Sequence, residues 1–434
     1  MTVSRCGRWV LVVLMLSFFS VNGAGAGGLY LYEVGSPDVG LAGAGYAARA
    51  QDAATVFTNP AGMTRLEQPS LMMGAQPMYL HLDFNPDGNT SAVAATLPGG
   101  AAADDGDSNG WMPAGGLFYV HPVTSRLWLG LAATGYFGLA LDYGDDWVGR
   151  YYLREATLQA AGVQPAAAWK VNDWLSLGAG AAVLYGVLEE KVAVNNINPL
   201  LGDGELKLKD EDWTVQFNLG VLIEPRQGTR VGLTYLSEAD VDFSDRVEFS
   251  GLGPGLQTAL GNQGLLDAKL DLGMTMPQAV MLSVYHEVTD RLALLANLGW
   301  QDWSRFGKVD VTVSSDTNTS LTTDLDYDDT WHAALGAQYQ ATDAWRLTCG
   351  VAYDSAMLEE EDVTPALPVG ETWRFALGTR YAWSPHLSLA GAYELAWSGD
   401  VDMDVERGPL AGRVSGTYEN ASLHVVSLNL EWRF

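Results

Sequence analysis

The chain ends on Val426-Ser427-Leu428-Asn429-Leu430-Glu431-Trp432-Arg433-Phe434, an unbroken alternation of apolar and polar residues. Side chains on a strand point to opposite faces in turn, so this stretch has one greasy face and one polar face. The same period recurs upstream. Trp373, Phe375, Leu377, Thr379 and Tyr381 oppose Arg374, Ala376, Gly378 and Arg380. Leu175, Leu177, Ala179, Ala181, Val183 and Tyr185 oppose Ser176, Gly178, Gly180 and Ala182, and Leu292, Leu294, Ala296, Leu298 and Trp300 repeat the pattern. A soluble sandwich would bury the apolar face in a core, whereas a membrane barrel turns it to lipid. The runs last about ten residues, long enough for a tilted strand to cross hydrocarbon. Their ends carry aromatics, as interfacial girdles require. The reading is an all-β chain folded as a transmembrane antiparallel β-barrel, and the aromatic last residue, Phe434, resembles the ending read by the barrel insertion machinery.

Short polar breaks separate the runs at 121–125, 171–173, 224–228, 288–290, 341–343 and 384–385. Longer ones lie near 85–110, 141–150, 194–208, 246–264, 314–323, 357–368 and 400–412. Six tight turns alternating with seven long loops join fourteen strands, an even number, with the tight turns periplasmic. Composition narrows the alternatives. With 15 Trp, 18 Tyr and 12 Phe in 434 residues the chain is not a disordered one. Its net charge of −28 leaves no basic stripe for nucleic acid. After the first residues no apolar run reaches the length of a membrane helix.

Residues 1–26 read as a secretory signal: Arg5 and Arg8, an apolar stretch from Trp9 to Val21, then Ala24-Gly25-Ala26 as a cleavage site. Cys6 would leave with it, and Cys349 would then stand alone. Residues 27–68 break the strand pattern and are rich in Gly and Ala, including Gly40, Gly43, Gly45, Ala47 and Ala48. Such a segment is too small-residue-rich for a solvated tail and is read as a hatch inside the barrel, which then occupies 69–434.

Gly28-Leu29-Tyr30-Leu31-Tyr32-Glu33, Asp52-Ala53 and Asn59-Pro60-Ala61, followed by Phe137-Gly138-Leu139-Ala140, Leu233-Thr234-Tyr235, Trp303-Ser304-Arg305-Phe306 and Ala352-Tyr353-Asp354-Ser355, resemble the FadL-type outer-membrane transporters. That resemblance implies uptake of hydrophobic compounds, foremost long-chain fatty acids, across the outer membrane of a Gram-negative-type bacterium. It further implies passive diffusion through a hatched fourteen-stranded barrel, with sideways exit into the membrane at a kinked third strand. Asn59, Pro60 and Ala61 become the hatch motif. Leu29, Leu31 and Val34 become pocket candidates, and Gly135 and Gly138 candidates for the kink in a third strand near 126–140. Around Tyr185-Gly186-Val187-Leu188 the chain lacks the arginine that fatty-acid members carry, which leaves Lys191 or Arg150 to pair a carboxylate and keeps neutral aromatic hydrocarbons open as substrates. The loop near 194–208 is also short for the family, with Leu256, Leu260 and Leu265 as a partial apolar replacement.

Acidic residues gather in the long loops. Asp400, Asp402 and Asp404 share one strand face, so besides a solvated rim they offer a candidate Ca²⁺ or Mg²⁺ bridge to lipopolysaccharide phosphates. The six His are scattered and read mainly as interfacial or turn residues. No His-Glu-x-x-His, Cys-x-x-Cys, Gly-x-Ser-x-Gly or P-loop motif occurs in the sequence, so neither enzymatic activity nor a cofactor is expected. A general porin and, more remotely, a barrel lipase are the rival readings; the expected state is a monomer.

Overall fold

The computed structural model describes residues 32–91 and 105–434, apart from 197, 199, 263, 307, 315–318, 325–326, 360–361 and 408–410. The first strands are β1 (Ser70–Pro86), β2 (Gly110–Pro122), β3 (Leu127–Asp142), β4 (Glu155–Lys170), β5 (Leu175–Val194), β6 (Gly204–Arg226) and β7 (Thr229–Leu236). Then come β8 (Ala239–Arg246), β9 (Glu248–Ser250), β10 (Lys269–Met276), β11 (Ala279–Glu287), β12 (Leu292–Gln301), β13 (Lys308–Ser314) and β14 (Thr319–Asp324). The last are β15 (Thr330–Gln340), β16 (Trp345–Asp354), β17 (Thr372–Ala382), β18 (Leu387–Glu406) and β19 (Arg413–Arg433).

Strands β1–β7, β11, β12 and β15–β19 pair antiparallel in one ring of fourteen, closed by β19 on β1 and by β5 on β6. Closure gives every strand a partner on both sides, which hydrocarbon demands because no water is there to satisfy a bare edge. Among the described residues no helix is long and apolar enough to cross a membrane. The six tight turns fall between β2 and β3, β4 and β5, β6 and β7, β11 and β12, β15 and β16, and β17 and β18, all at one end.

The alternation resolves as expected. Leu335, Leu347, Phe375, Leu377 and Leu428 face outward and are exposed, while Ala334, Ala352, Ala376, Ser427 and Asn429 face inward and are buried. Such a continuous exposed apolar surface is a lipid interface. Aromatics form two girdles. Trp169, Trp174, Trp345, Trp383, Trp432 and Phe434 stand near the tight-turn end, and Trp111, Trp213, Trp331, Trp373 and Trp397 near the other. Neighbouring strands pair them: Trp345 with Tyr381 at 4.6 Å between ring centroids, Tyr353 with Trp373 at 5.1 Å and Tyr185 with Trp213 at 4.9 Å.

The wall departs from fourteen continuous strands on the long-loop side. There β8, β10, β13 and β14 form a separate four-stranded sheet that continues β7, β11, β12 and β15 in the same order beyond a break. Pro277 supplies no N–H at the β10–β11 junction, and the turn of helix Trp303–Phe306 interrupts β12 and β13. Side chains bridge the break, the first bond satisfying a backbone N–H and the other two joining side chain to side chain. Ser237 Oγ accepts from the Phe217 N–H at 2.9 Å, Gln278 donates to Asp302 at 2.8 Å, and Trp300 Nε1 donates to Asp329 at 3.1 Å.

Leu335 lies on the lipid face, 64% exposed. Replacing it with Arg is expected to cost about 2–4 kcal/mol of barrel stability, the penalty for a cation near the bilayer midplane. Denaturant titration in lipid vesicles measures it, and a change within experimental error would mean that this face does not meet hydrocarbon.

Candidate functional site

Residues 32–68 enter the ring rather than lie outside it. The segment makes a short helix at Ser36–Val39, a run of turns through Ala48, a second short helix at Thr55–Thr58 and a 3₁₀ helix at Pro60–Arg65. It touches inward-facing positions around the circumference, near the tight-turn end. Glycine in the wall is what admits it. A Cβ at Gly178 would collide with Pro60 and Ala61, one at Gly220 with Asn59, one at Gly232 with the Ala47 carbonyl, and one at Gly350 with Leu41. Inside the segment, Gly43 (φ +75) and Gly45 (φ +77) adopt the left-handed backbone that lets the chain reverse tightly.

Asn59 is the tie between segment and wall. Its Nδ2 donates to the Ala47 carbonyl at 2.7 Å and to the Val221 carbonyl of β6 at 3.0 Å. Its Oδ1 accepts from the Ala61 N–H at 3.0 Å, capping the 3₁₀ helix whose first position is Pro60. The side chain thus meets three backbone groups in the lumen, with the bonds to Ala47 and Ala61 fully buried. Arg49 braces the other half of the segment between Asp38, at 3.0 Å, and Asp52. Burial works against both carboxylates. It pushes Asp38 up to about 6 despite Arg49, whereas at Asp52 the guanidinium and the Ala54 N–H outweigh it and hold the group below the usual range.

A second tie is ionic. Arg374 of β17, inside the ring, meets Glu33 of the segment, Asp354 of β16 and Glu394 of β18, the last at 3.0 Å. Asp354 also bonds His332 Nδ1 at 2.6 Å, and Tyr32 stacks on the His332 ring with centroids 4.2 Å apart. His332 is only 1% exposed, so for this histidine the interfacial or turn reading is corrected: it lies on the lumen face of β15, under the segment. The cluster was readable only as parity, since Arg374, Glu394, Asp354 and His332 fall on the polar face of their strands.

The wall has a slot between β2 and β3. Their ladder stops at Gly116 opposite Thr134, although β2 runs on to Gly110 along β1 and β3 runs on to Asp142 along β4. At that point the β3–β4 register shifts between Gly135 and Phe137, a bulge that turns both Tyr136 and Phe137 inward. Beside it the Cβ position of Gly138 meets nothing within 4 Å. Aromatic rings line the way from the segment to the slot. Phe57 meets Tyr136 edge-on at 4.9 Å, and Phe137 lies 6.0 Å from Trp303 and 5.7 Å from Phe306. A small cavity lined by Tyr46, Phe57, Asn218, Thr234, Leu236 and Met281 adjoins Phe57.

A closed lipid-facing ring of fourteen strands with an internal N-terminal segment is a specific architecture, and the sequence comparison bears on the same span. The family model described as "Outer membrane protein transport protein (OMPP1/FadL/TodX)" matches residues 18–434. The chain belongs to this family. It is 26% identical over 392 residues to the long-chain fatty acid transport protein of Escherichia coli O6:H1, covering 84% of this chain and 86% of that one. In fold it is similar to a Pseudomonas aeruginosa FadL homologue, with a TM-score of 0.83, 22% identity and coverage of 94% of this chain and 100% of that one. It is similar also to the CymD monoaromatic hydrocarbon channel, with a TM-score of 0.67, 20% identity and coverage of 94% and 99%. The protein is therefore an outer-membrane FadL/TodX-family transporter of hydrophobic compounds.

In this FadL/TodX-family chain the residues singled out from sequence scatter over three places. Asn59, Pro60 and Ala61 meet β5 and β6 in the lumen. Val34 is buried beside the ionic cluster, while Leu29, Leu31 and the export signal at 1–26 lie outside the described residues. Gly135 and Gly138 flank the slot. Lys191 and Arg150 sit at the long-loop end, bound to Glu155 at 2.6 Å and Asp203 at 2.8 Å, so both cations already have carboxylate partners. Asp400, Asp402 and Asp404 do not converge. They accept separately from the Asn420 N–H, from the Thr417 hydroxyl and from Arg413, and among the described residues no three acidic or imidazole groups are placed to hold a metal ion. The candidate divalent site is thus corrected: alternate residues of a strand share a face but are spaced too far apart to share one ion unless the backbone folds back.

Gly220→Val drives a side chain into Asn59, and Asn59→Ala strips three backbone groups of their partner. Both variants are expected to insert as heat-modifiable barrels and to raise amide hydrogen exchange in residues 55–65 at least about tenfold, the local cost of lost buried hydrogen bonds. Exchange at the native rate in both would show that the segment is held by something other than Asn59.

Proposed function

We propose that residues 27–68 act as a hatch within a barrel of residues 69–434, after removal of a signal at 1–26, and that the protein takes up long-chain fatty acids by passive lateral diffusion. The observation that carries the reading is the slot at Gly135–Gly138, reached along Phe57, Tyr136, Phe137 and Phe306. A greasy solute entering from the long-loop end crosses the polar outer surface inside the protein. It then leaves sideways through the one stretch of wall where β2 and β3 do not bond, into acyl chains. Transfer into hydrocarbon is favourable by about 0.8 kcal/mol per CH₂, so the step needs no energy source. The barrel works as a non-enzymatic monomer without a cofactor, inserted by the assembly machinery and surrounded by lipopolysaccharide. The fatty-acid choice is supported by the named activity of the Escherichia coli relative.

Neutral aromatic hydrocarbons form the second reading. It is favoured by Lys191 and Arg150, which are occupied by Glu155 and Asp203 and offer no free cation to a substrate carboxylate. At the outer mouth, helix Pro254–Asn262 buries no residue and presents Leu256 and Leu260 partly exposed, beside Leu201 and an almost fully exposed Leu200. Apolar side chains there suit a first contact for either substrate class.

Radiolabelled oleate and toluene are to be compared in a transporter-null strain expressing the wild type or a chain lacking Tyr136, which restores register across the bulge. Oleate uptake in the wild type, reduced at least about fivefold by the deletion with normal surface expression, is the expected result. Toluene uptake alone would transfer the reading to aromatics, and uptake unaffected by the deletion would remove the slot from the pathway. Planar-bilayer conductance separates the porin alternative, which requires a large steady current.

A further inference from the structure

We propose that the cavity under the N-terminal segment, at the tight-turn end of the lumen, is an oxyanion-binding site. It is lined by Arg346 of β16, Arg380 of β17, Arg49 and Asp52 of the segment, and the polar side chains of Gln338 and Thr348. The acid-rich chain carries 24 basic residues against 52 acidic ones, so a cluster of guanidiniums in its lumen needs a cause. Arg346 and Arg380 stand directly opposite each other in the β16–β17 register, the arrangement in which like charges repel most. Arg346 spends its bonds on neutral oxygens, Gln340 Oε1 at 3.0 Å and Gln51 Oε1 at 2.9 Å. Arg380 reaches Glu431 at 3.2 Å, but Arg433 shares that carboxylate at 3.0 Å. Arg49 is matched by Asp38 and Asp52. Four guanidiniums thus meet three carboxylates, Asp38, Asp52 and Glu431, in this part of the lumen.

The second observation is Gln338. Its side chain is 4% exposed, lines the cavity and leaves Oε1 without a hydrogen-bond partner. The orphan is an acceptor and costly to leave unpaired, so the amide serves an anion only when turned by 180°, and so turned its NH₂ adds two donors to those of the arginines. Planar guanidinium forks and an amide match the oxygens of a carboxylate or phosphate, and they match nothing neutral as well. The cavity is small, so it accepts an ion or a headgroup but no acyl chain. Two sources share this chemistry: a free oxyanion arriving from the periplasmic side, or the carboxylate end of a substrate that has passed the segment. The second source rests on the fatty-acid reading above and the first does not.

The test uses the purified mature barrel in neutral detergent. Its apparent melting temperature is followed with inorganic phosphate, acetate or submicellar dodecanoate, against sodium chloride at equal ionic strength. At saturation a rise of roughly 2–4 °C is expected for at least one of them. The rise should disappear in Arg346→Gln/Arg380→Gln. Gln338→Glu, which builds a carboxylate into the cavity, should be more stable than wild type without added anion and should not respond to it. A response to phosphate and acetate identifies a free-ion site, and a response to dodecanoate alone identifies a headgroup site while also supporting the fatty-acid reading. No response in the wild type overturns the proposal, as does an undiminished response in the double variant. Should the double variant fail to insert, an undiminished response in Gln338→Glu overturns it equally, without touching the uptake pathway.

Discussion

Every N–H and C=O that crosses the hydrocarbon must find its partner within the wall. The ring of fourteen strands is the solution to that demand, and it is why β19, last in the chain, lies along β1, the first strand. The same demand makes the departures informative. Where β2 and β3 stop bonding beyond Thr134, and where β7, β11, β12 and β15 break from their continuations, the backbone gives up ladder bonds that a plain barrel would keep. At the strand breaks Ser237 and Asp329 accept from the Phe217 and Ser304 N–H groups, and Gln278 and Trp300 add side-chain bonds across the gap. At the slot the ladder is left open and aromatic rings gather on its inner side.

A filled lumen creates a second problem, since a segment of backbone inside a barrel must satisfy its own polar groups. Residues 32–68 do so by short helices and tight turns, with Asn59 supplying what the helices leave over. The wall cooperates by omission. Glycines at 178, 220, 232 and 350 remove the Cβ atoms that would hold the segment away. The fit is therefore set as much by absent atoms as by contacts, and these glycines on the polar face are explained by packing rather than by strand propensity.

Charge in the lumen is handled differently at two levels. Beside the start of the segment, Arg374 is enclosed by three carboxylates, so basic charge is over-compensated. Nearer the tight turns the balance reverses, with Arg346 bound only to amide oxygens. Desolvated ions of either sign are expensive unless matched, so the two levels of the lumen differ in how much of that cost the protein itself offsets.

Alternation carried the strands and their lipid face, and the polar breaks between the runs carried the tight turns and the count of fourteen, because side-chain period and turn chemistry are both local properties of the backbone. The small-residue run within 27–68 likewise broke the strand pattern, and its described part, 32–68, forms no strand, whereas Asn59-Pro60-Ala61 was marked out by resemblance and only the structure shows Asn59 capping the 3₁₀ helix. Local pattern could not show that Lys191 and Arg150 meet Glu155 and Asp203, that Asp400, Asp402 and Asp404 part company, or that His332 is buried under Tyr32. Nor could it show which side of Gly135 loses its ladder, or that Arg346 faces Arg380. Those outcomes depend on register between strands and on what fills the lumen. Register and filling are set by contacts between residues far apart in the chain, and such contacts exist only once the ring has closed.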